Sequence, residues 1–309
     1  MDFLGTERAL RRWAVASLLA NMVIVWTGAL VRLTQSGLGC STWPQCQPGS
    51  YVPVPEAGVH GVIEFANRLL TFVLVAVAIG QFLSARRAVR AGRRPPRLVR
   101  LAVAVGLGIV AQAVIGGLSV LAQLNPWVVG LHLVASVVLI VVSVEIVHVA
   151  FGVSPIAPDP RTRALVRAVF WLGVAITLLG AVVTGAGPNA GDGAALRNGL
   201  SLEWTAKTHA WAVWLEVALT AAGVWLTTRR GEARLRRVFL GVLGCELLQG
   251  AVGYTQYFTH LPIGLVTAHM VGSTLFVAAI AHLWLLGGRP GVQPNSSGSR
   301  AAASAISAR

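Results

Sequence analysis

The fold class predicted here is an all-α polytopic membrane protein, with eight transmembrane helices forming two repeat-related four-helix bundles. Three observations predict it. The 309 residues are 55% hydrophobic and only 12% charged, with a mean hydropathy of +0.70, where a soluble chain carries about 25% charged residues. The apolar residues come in eight blocks of about twenty, each long enough at ~1.5 Å per residue to cross a ~30 Å hydrocarbon core. Only helices and closed barrels satisfy their backbone in lipid, and blocks this continuous are helices. The third observation is an internal repeat. Gln112-Ala-Val-Ile-Gly116 runs on to His132, and Gln249-Gly-Ala-Val-Gly253 runs on to His269 with the same spacings.

The net charge of +14 is a topology signal. All but four of the 25 basic residues lie in alternate connections or at the two ends; the exceptions are Arg32, Arg68, Arg197 and Lys207. The positive-inside rule then places both termini in the cytoplasm of a multi-pass protein of a bacterial cell membrane. Such a distribution excludes a nucleic-acid footprint and leaves membrane lipid as the general partner.

The first span, about 13–33, follows Arg8, Arg11 and Arg12. It is too long for the core of a cleaved signal peptide. Arg32 closes it at the outer face, and the outer loop that follows carries Cys40 and Cys46. An oxidising compartment predicts a disulfide there, with a structural or a redox-active role open. The second span, about 60–83, contains His60-Gly-Val-Ile-Glu64-Phe-Ala-Asn67-Arg68. A carboxylate inside a membrane is costly and faces a site or a partner. Glu64 is therefore either an acid-base group beside a bound substrate or half of an i,i+4 pair with Arg68.

The third span, about 98–122, holds the first copy of the repeat, and the fourth, about 127–151, holds His132. The fifth runs over about 164–186. The sixth, about 205–227, opens on Lys207 and His209, with no acidic residue matching Glu64. The seventh, about 234–256, carries the second copy of the repeat, with Cys245 as an inert apolar residue. The eighth, about 263–287, holds His269. Glu145, Glu216 and Glu246 lie in apolar blocks with no motif around them, so burial against a polar partner, or a place at an inner helix end, is the expectation. His148, His260 and His282 read as interfacial or structural. Residues 1–155 and 156–288 form the two bundles, and 289–309 a disordered cytoplasmic tail rich in small polar residues.

Any one histidine at a membrane edge is ordinarily a satisfied polar residue. His60, His132, His209 and His269 are four, two in each half and all in the outer leaflet, which favours two porphyrin sites built from facing imidazoles. Arg32 and Lys207 could pair with haem propionates or snorkel to head groups.

With these residues in view, the chain resembles the haem A synthase family over nearly all of 13–287. The motifs that carry the resemblance are Gly28-Ala-Leu-Val-Arg32-Leu-Thr-Gln-Ser-Gly37-Leu-Gly-Cys40 running into Trp43-Pro44 and Cys46, then Ile63-Glu64-Phe-Ala-Asn67-Arg68, and the spaced histidines. The resemblance implies haem b as cofactor in the second bundle, held by His209 and His269. It implies haem O as substrate in the first bundle, with Glu64 essential nearby, and oxidation of its C8 methyl group to a formyl group. It implies that the product serves haem-copper oxidases, with haem O synthase and oxidase assembly factors as partners; homo-oligomerisation is left open. The chain departs from the family pattern Glu-x-x-His-Arg at Asn67, which matches His209 in the repeat. Either His60, nearly two turns earlier on the same face, replaces the missing ligand opposite His132, or substrate iron is held by His132 alone. A bis-haem b electron carrier of cytochrome b561 type is the competing function; it accounts for the histidines but not for Glu64 or the cysteine pair.

Overall fold

The computed structural model describes residues 5–289. Within them lie eight helices long and apolar enough to cross a membrane. They are α1 (Glu7–Leu33), α2 (Gly58–Arg90), α3 (Arg97–Leu121), α4 (Pro126–Phe151), α5 (Pro160–Ala186), α6 (Leu202–Arg229), α7 (Ala233–Phe258) and α8 (Ile263–Leu283). Each predicted span is found, and the chain is a multi-pass membrane protein. α2 runs seven residues beyond the expected end at 83, because arginine is a good helix former and carries the helix past the apolar stretch. α8 gives way to a π-helical turn at Trp284–Gly288. The tail expected from 289 onward falls, from 290, outside the described residues.

Local chemistry sets several starts. Thr6 accepts the backbone N–H of Ala9, Asn125 that of Trp127, Asp159 that of Arg161, and Ser201 that of Trp204. In α4 and α5 a proline follows the cap, where no helical N–H is needed. Gly152 ends α4 in the left-handed region at φ 66°.

α1 packs on α2 and α4, and α3 closes the ring between α2 and α4; α5–α8 repeat this arrangement, and the two rings meet through α1, α4, α5 and α8. Outward faces are apolar. Leu107, Val110, Val114, Leu118 and Leu121 form one exposed stripe on α3, at helical spacing. In water such a stripe would be a liability; against lipid it is the expected surface. Inward, small residues let helices close up. Gly80 sits under Trp13, with 2.6 Å between a built Cβ and the ring, and Gly223 has no room for a Cβ beside Phe239.

The buried core is uneven along the membrane normal. In the first bundle it comprises Leu10, Leu98, Val105, Ile109, Leu139 and Ile146, and in the second Val166, Phe170, Leu235, Phe239, Val242 and Ile280. Both clusters lie toward the end that carries Glu7 and Arg289. Toward the opposite end, where the cysteine loop lies, the inward side chains of α2, α4, α6 and α8 are mostly half-buried. A third cluster of Met22, Val25, Val137, Ile140 and Val277 seals the seam between bundles. Beside it the Trp26 indole N–H donates to Thr274 Oγ1 at 2.8 Å.

Candidate functional site

In the second bundle His209 and His269 come from α6 and α8, within electrostatic reach of each other. The His209 ring lies beside the backbone of Ile176, and the His269 ring beside that of Gln249. In each, Nδ1 is buried with no partner. Glycines lie against both rings. A Cβ at Gly180 would come within 3.4 Å of His209 Cε1, and one at Gly253 within 3.3 Å of His269 Cε1. Gln249 Nε2 donates to the carbonyl of His269 at 2.9 Å, tying α7 to α8 at this level.

The first bundle builds half of the same arrangement. A Cβ at Gly116 would come within 3.2 Å of His132 Cε1, and His132 Nδ1 is again buried without a partner. Gln112 Nε2 donates to Ser136 Oγ at 2.5 Å, and Ser136 Oγ donates to the His132 carbonyl at 3.1 Å. On α2, at the place matching His209, Asn67 Oδ1 is buried and unpartnered. Gly28 faces open space, whereas Gly180 faces His209. Sequence reasoning missed this glycine pair, though Gly28-Ala-Leu-Val and Gly180-Ala-Val-Val spell the match.

Glu64, one turn before Asn67, is 5% exposed. Its Oε2 accepts the Cys40 backbone N–H at 2.7 Å, and its Oε1 accepts Arg68 Nη2 at 2.6 Å and Nε at 3.1 Å. Arg68 goes further into the loop. Nη1 donates to the carbonyls of Thr42 and Gln45, at 3.0 and 3.2 Å, and Nη2 to that of Cys40 at 3.2 Å. Cys40 and Cys46 are buried and form a disulfide, with Cα atoms 4.3 Å apart. Gly117 on α3 leaves room for the Trp43 indole, which any Cβ would strike. The loop is thus fastened over one end of the first bundle by α2 and α3 together. Of the two sequence readings of Glu64, the pair with Arg68 is present, and Glu64 also holds the loop, a contact no helical spacing could disclose.

The other predicted residues have separate surroundings. His60 Nδ1 bonds Ser36 Oγ at 2.9 Å. His60 lines an outer cavity of about 350 Å³ with Gln35, Gln47 and, from the second half, Asp192. The structure does not bring it against His132. Arg32 Nη2 donates to the Thr184 carbonyl at 2.6 Å, bridging the two bundles, while its Nε is buried and unpartnered. Lys207 pairs with Glu203 at 2.5 Å and lies over the exposed Trp204 ring at 5.1 Å. That is an interfacial position, with a carboxylate where a propionate was considered.

His148 and His282 join α4 to α8 through a 2.6 Å hydrogen bond, as structural residues. Glu145 pairs with Arg97 and Arg289. Glu246 has the polar partner expected of it, accepting Thr220 Oγ1 at 2.8 Å. Glu216 does not: it is 1% exposed and neither oxygen has a partner.

Together these features fit planar, iron-bearing macrocycles. The second bundle offers two imidazoles, each with an unpartnered nitrogen and a flat glycine surface. The first offers one imidazole, a carboxamide, and a fastened loop with a carboxylate and a guanidinium.

Comparison with known proteins agrees. A family model described as COX15-CtaA, cytochrome oxidase assembly protein, matches residues 11–281. A protein of Listeria welshimeri named Heme A synthase is 24% identical over 307 residues, covering 92% of this chain and 97% of its own. One of Listeria monocytogenes with the same name is 24% identical over 305 residues, covering 92% and 97%. A third so named, from Lysinibacillus sphaericus, is 35% identical over 127 residues, covering 41% and 40%.

Proposed function

The chain belongs to the COX15-CtaA family of cytochrome oxidase assembly proteins and is an enzyme of the haem A synthase type, and from that premise we propose that it oxidises the C8 methyl group of haem O to the formyl group of haem A. The observation that carries this reading is the inequality of the two half-sites at one level of the membrane. His209 and His269 would hold haem b as a resident cofactor. Haem b, when bound, supplies one-electron transfer.

Haem O would enter the first bundle with His132 on its iron. A side-chain amide oxygen suits hard cations, while imidazole suits iron. Asn67 therefore contributes a hydrogen-bonding group beside the macrocycle, and His132 is the single strong protein ligand. His60, fixed to Ser36 in the outer cavity, lies on the approach to this site. Arg32, with Nε unused between the bundles, is placed to meet a propionate.

Conversion of a methyl to a formyl group releases four electrons and four protons and takes up one oxygen: R–CH₃ + H₂O gives R–CHO + 4 H⁺ + 4 e⁻. Carbon loses electron density along this path. A carboxylate in low dielectric nearby stabilises positive character on the substituent and provides a place for a departing proton. Glu64 has that position, one turn from Asn67. Its bonds to Cys40 N–H and Arg68 keep it and the loop in register, and the fastened loop limits water at the outer end. With basic connections inside, the site opens on the outer leaflet and both termini are cytoplasmic. The product would pass to haem-copper oxidases through their assembly factors, with haem O synthase as the supplier.

The test is haem extraction from cells that make haem O, expressing the wild type or Glu64→Gln. The wild type should convert haem O into haem A. The variant should keep haem b and accumulate haem O or its hydroxylated form, with haem A about a hundredfold lower or more, the lower range for removal of an acid-base group. Normal haem A per folded molecule in Glu64→Gln would remove Glu64 from the site. An unchanged haem O to haem A ratio with the wild type would leave the electron-carrier reading instead.

A further inference from the structure

At the end of the molecule that carries Glu7 and Arg289, Arg234, Arg237 and Val238 of α7 border a cavity of about 270 Å³ with His282 of α8 and Leu286 of the π turn. The arginines stand three residues apart on one helix face and are exposed. Among the described residues, the carboxylates at this end are engaged elsewhere. Glu7 pairs with Arg93 and Arg94, Glu145 with Arg97 and Arg289, and Asp159 with Arg230. Glu232 Oε1 accepts the Asp159 backbone N–H at 3.0 Å. No described carboxylate pairs with Arg234 or Arg237, and like charges this close repel unless an anion lies between them.

The walls narrow the choice of anion. Val238 and Leu286 give the cavity an apolar side. Further along α7, Leu240, Leu247 and Leu248 are exposed to the hydrocarbon layer, 47%, 54% and 67%. A ligand matching both parts has a phosphate at one end and an acyl chain at the other. Guanidinium forks bind phosphate oxygens in pairs of parallel hydrogen bonds. Basic pockets between transmembrane helices at the cytoplasmic face bind anionic lipid head groups.

We propose that this groove seats the phosphate head group of an anionic phospholipid between Arg234 and Arg237, with its acyl chain along the leucines of α7. The seat adjoins the seam of the two bundles. His282, in its wall, is bonded at 2.6 Å to His148 of α4, so lipid bound here braces α8 where it meets the first bundle.

The full-length protein, reconstituted in phosphatidylcholine nanodiscs with a small fraction of phosphatidylglycerol, is assayed by native mass spectrometry for retained lipid. The wild type should retain phosphatidylglycerol over phosphatidylcholine. Arg234→Gln with Arg237→Gln should retain it about thirtyfold less, the effect of removing two basic residues at an anionic surface. Arg161→Gln with Arg236→Gln removes the same charge from the same end outside the groove and should retain lipid like the wild type. Arg234→Lys with Arg237→Lys should recover most of the retention, and Arg237→Gln alone gives the same comparison if the double variant fails to fold. Equal losses in the two glutamine pairs would show a general basic surface and overturn the proposal. So would displacement of the lipid by millimolar inorganic phosphate, which would mark a seat for a free anion.

Discussion

His209 and Asn67 stand at matching places in the sequence repeat, and the exchange of an imidazole for a carboxamide separates the two halves chemically. In the second half two imidazoles, from α6 and α8, each have a buried, unpartnered Nδ1. Two strong axial ligands favour permanent possession of an iron macrocycle and electron transfer without ligand exchange. In the first half, one imidazole, a buried amide oxygen, and a loop pinned by Glu64 and Arg68 replace that pair. Weaker ligation on one side favours a guest that must enter, react and leave. The two halves share one arrangement of four helices and differ in a few side chains on α2 and its loop.

The comparison breaks most severely at the second site. His209→Ala or His269→Ala removes one of two axial ligands from a site with no third imidazole at its level. Either variant should lose nearly all low-spin haem b from the purified protein, seen as loss of the sharp reduced-minus-oxidised bands. Haem A formation should fall at least about a hundredfold, as for removal of a metal ligand or its support. His132→Ala should leave those bands in place, and that contrast tests the assignment: equal losses in the two halves would merge the sites into one.

The second prediction converts one half into the other. Asn67→His restores an imidazole opposite His132, where Gly28 leaves open space beside α2. Haem held in the first bundle should change from a five-coordinate to a low-spin bis-imidazole form, read by electron paramagnetic resonance as a second low-spin signal. Turnover should drop about tenfold while haem b is unchanged, since the substrate now carries a second axial ligand that must dissociate. If His60 were the existing partner of His132, the wild type would already show two low-spin signals, and Asn67→His would add none.

The helices were legible because the hydrophobic blocks exceed the membrane thickness; their ends run past the apolar signal, furthest where arginines continue the helix, as in α2. The packing of α2–α4 and of α6–α8 follows from short connections between antiparallel neighbours, whereas α1 reaches α2, and α5 reaches α6, through the longer loops 34–57 and 187–201. Site residues were readable to the extent that they lie on helices at repeat spacing, as His132, His209 and His269 do. Contacts made through loops were not. The Cys40 N–H on Glu64 and the three loop carbonyls on Arg68 depend on backbone folded by tertiary contacts, and sequence spacing carries no record of them. Thr184, which takes Arg32, lies outside every motif, and Ser36, though inside the first one, gives no sign in its spacing that it takes the His60 ring. Glu216 was expected to have a polar partner and has none, because the partner on offer, Thr220, turns its hydroxyl to Glu246.

The smallest expected effect concerns the two cations once considered for propionates. Lys207 and Arg32 look alike in sequence, each a basic residue at the outer end of a helix. In the fold they differ. Lys207 pairs with Glu203 over the exposed Trp204 ring, whereas Arg32 is half-buried, donates to Thr184 across the bundle seam and keeps Nε in reserve. An exposed i,i+4 ion pair contributes little and is screened by salt. Lys207→Gln should therefore leave haem b content, its spectrum and haem A production within error of the wild type. Arg32→Gln strips a bridging donor and a basic group at the seam of the bundles, and should weaken retention of haem O about tenfold, the loss typical of one charge-assisted hydrogen bond. Titration of haem O into both purified variants measures the difference. A loss of binding in Lys207→Gln equal to that in Arg32→Gln would mean that Lys207 leaves Glu203 and turns inward when a macrocycle is bound, and the propionate contact would then extend to both halves.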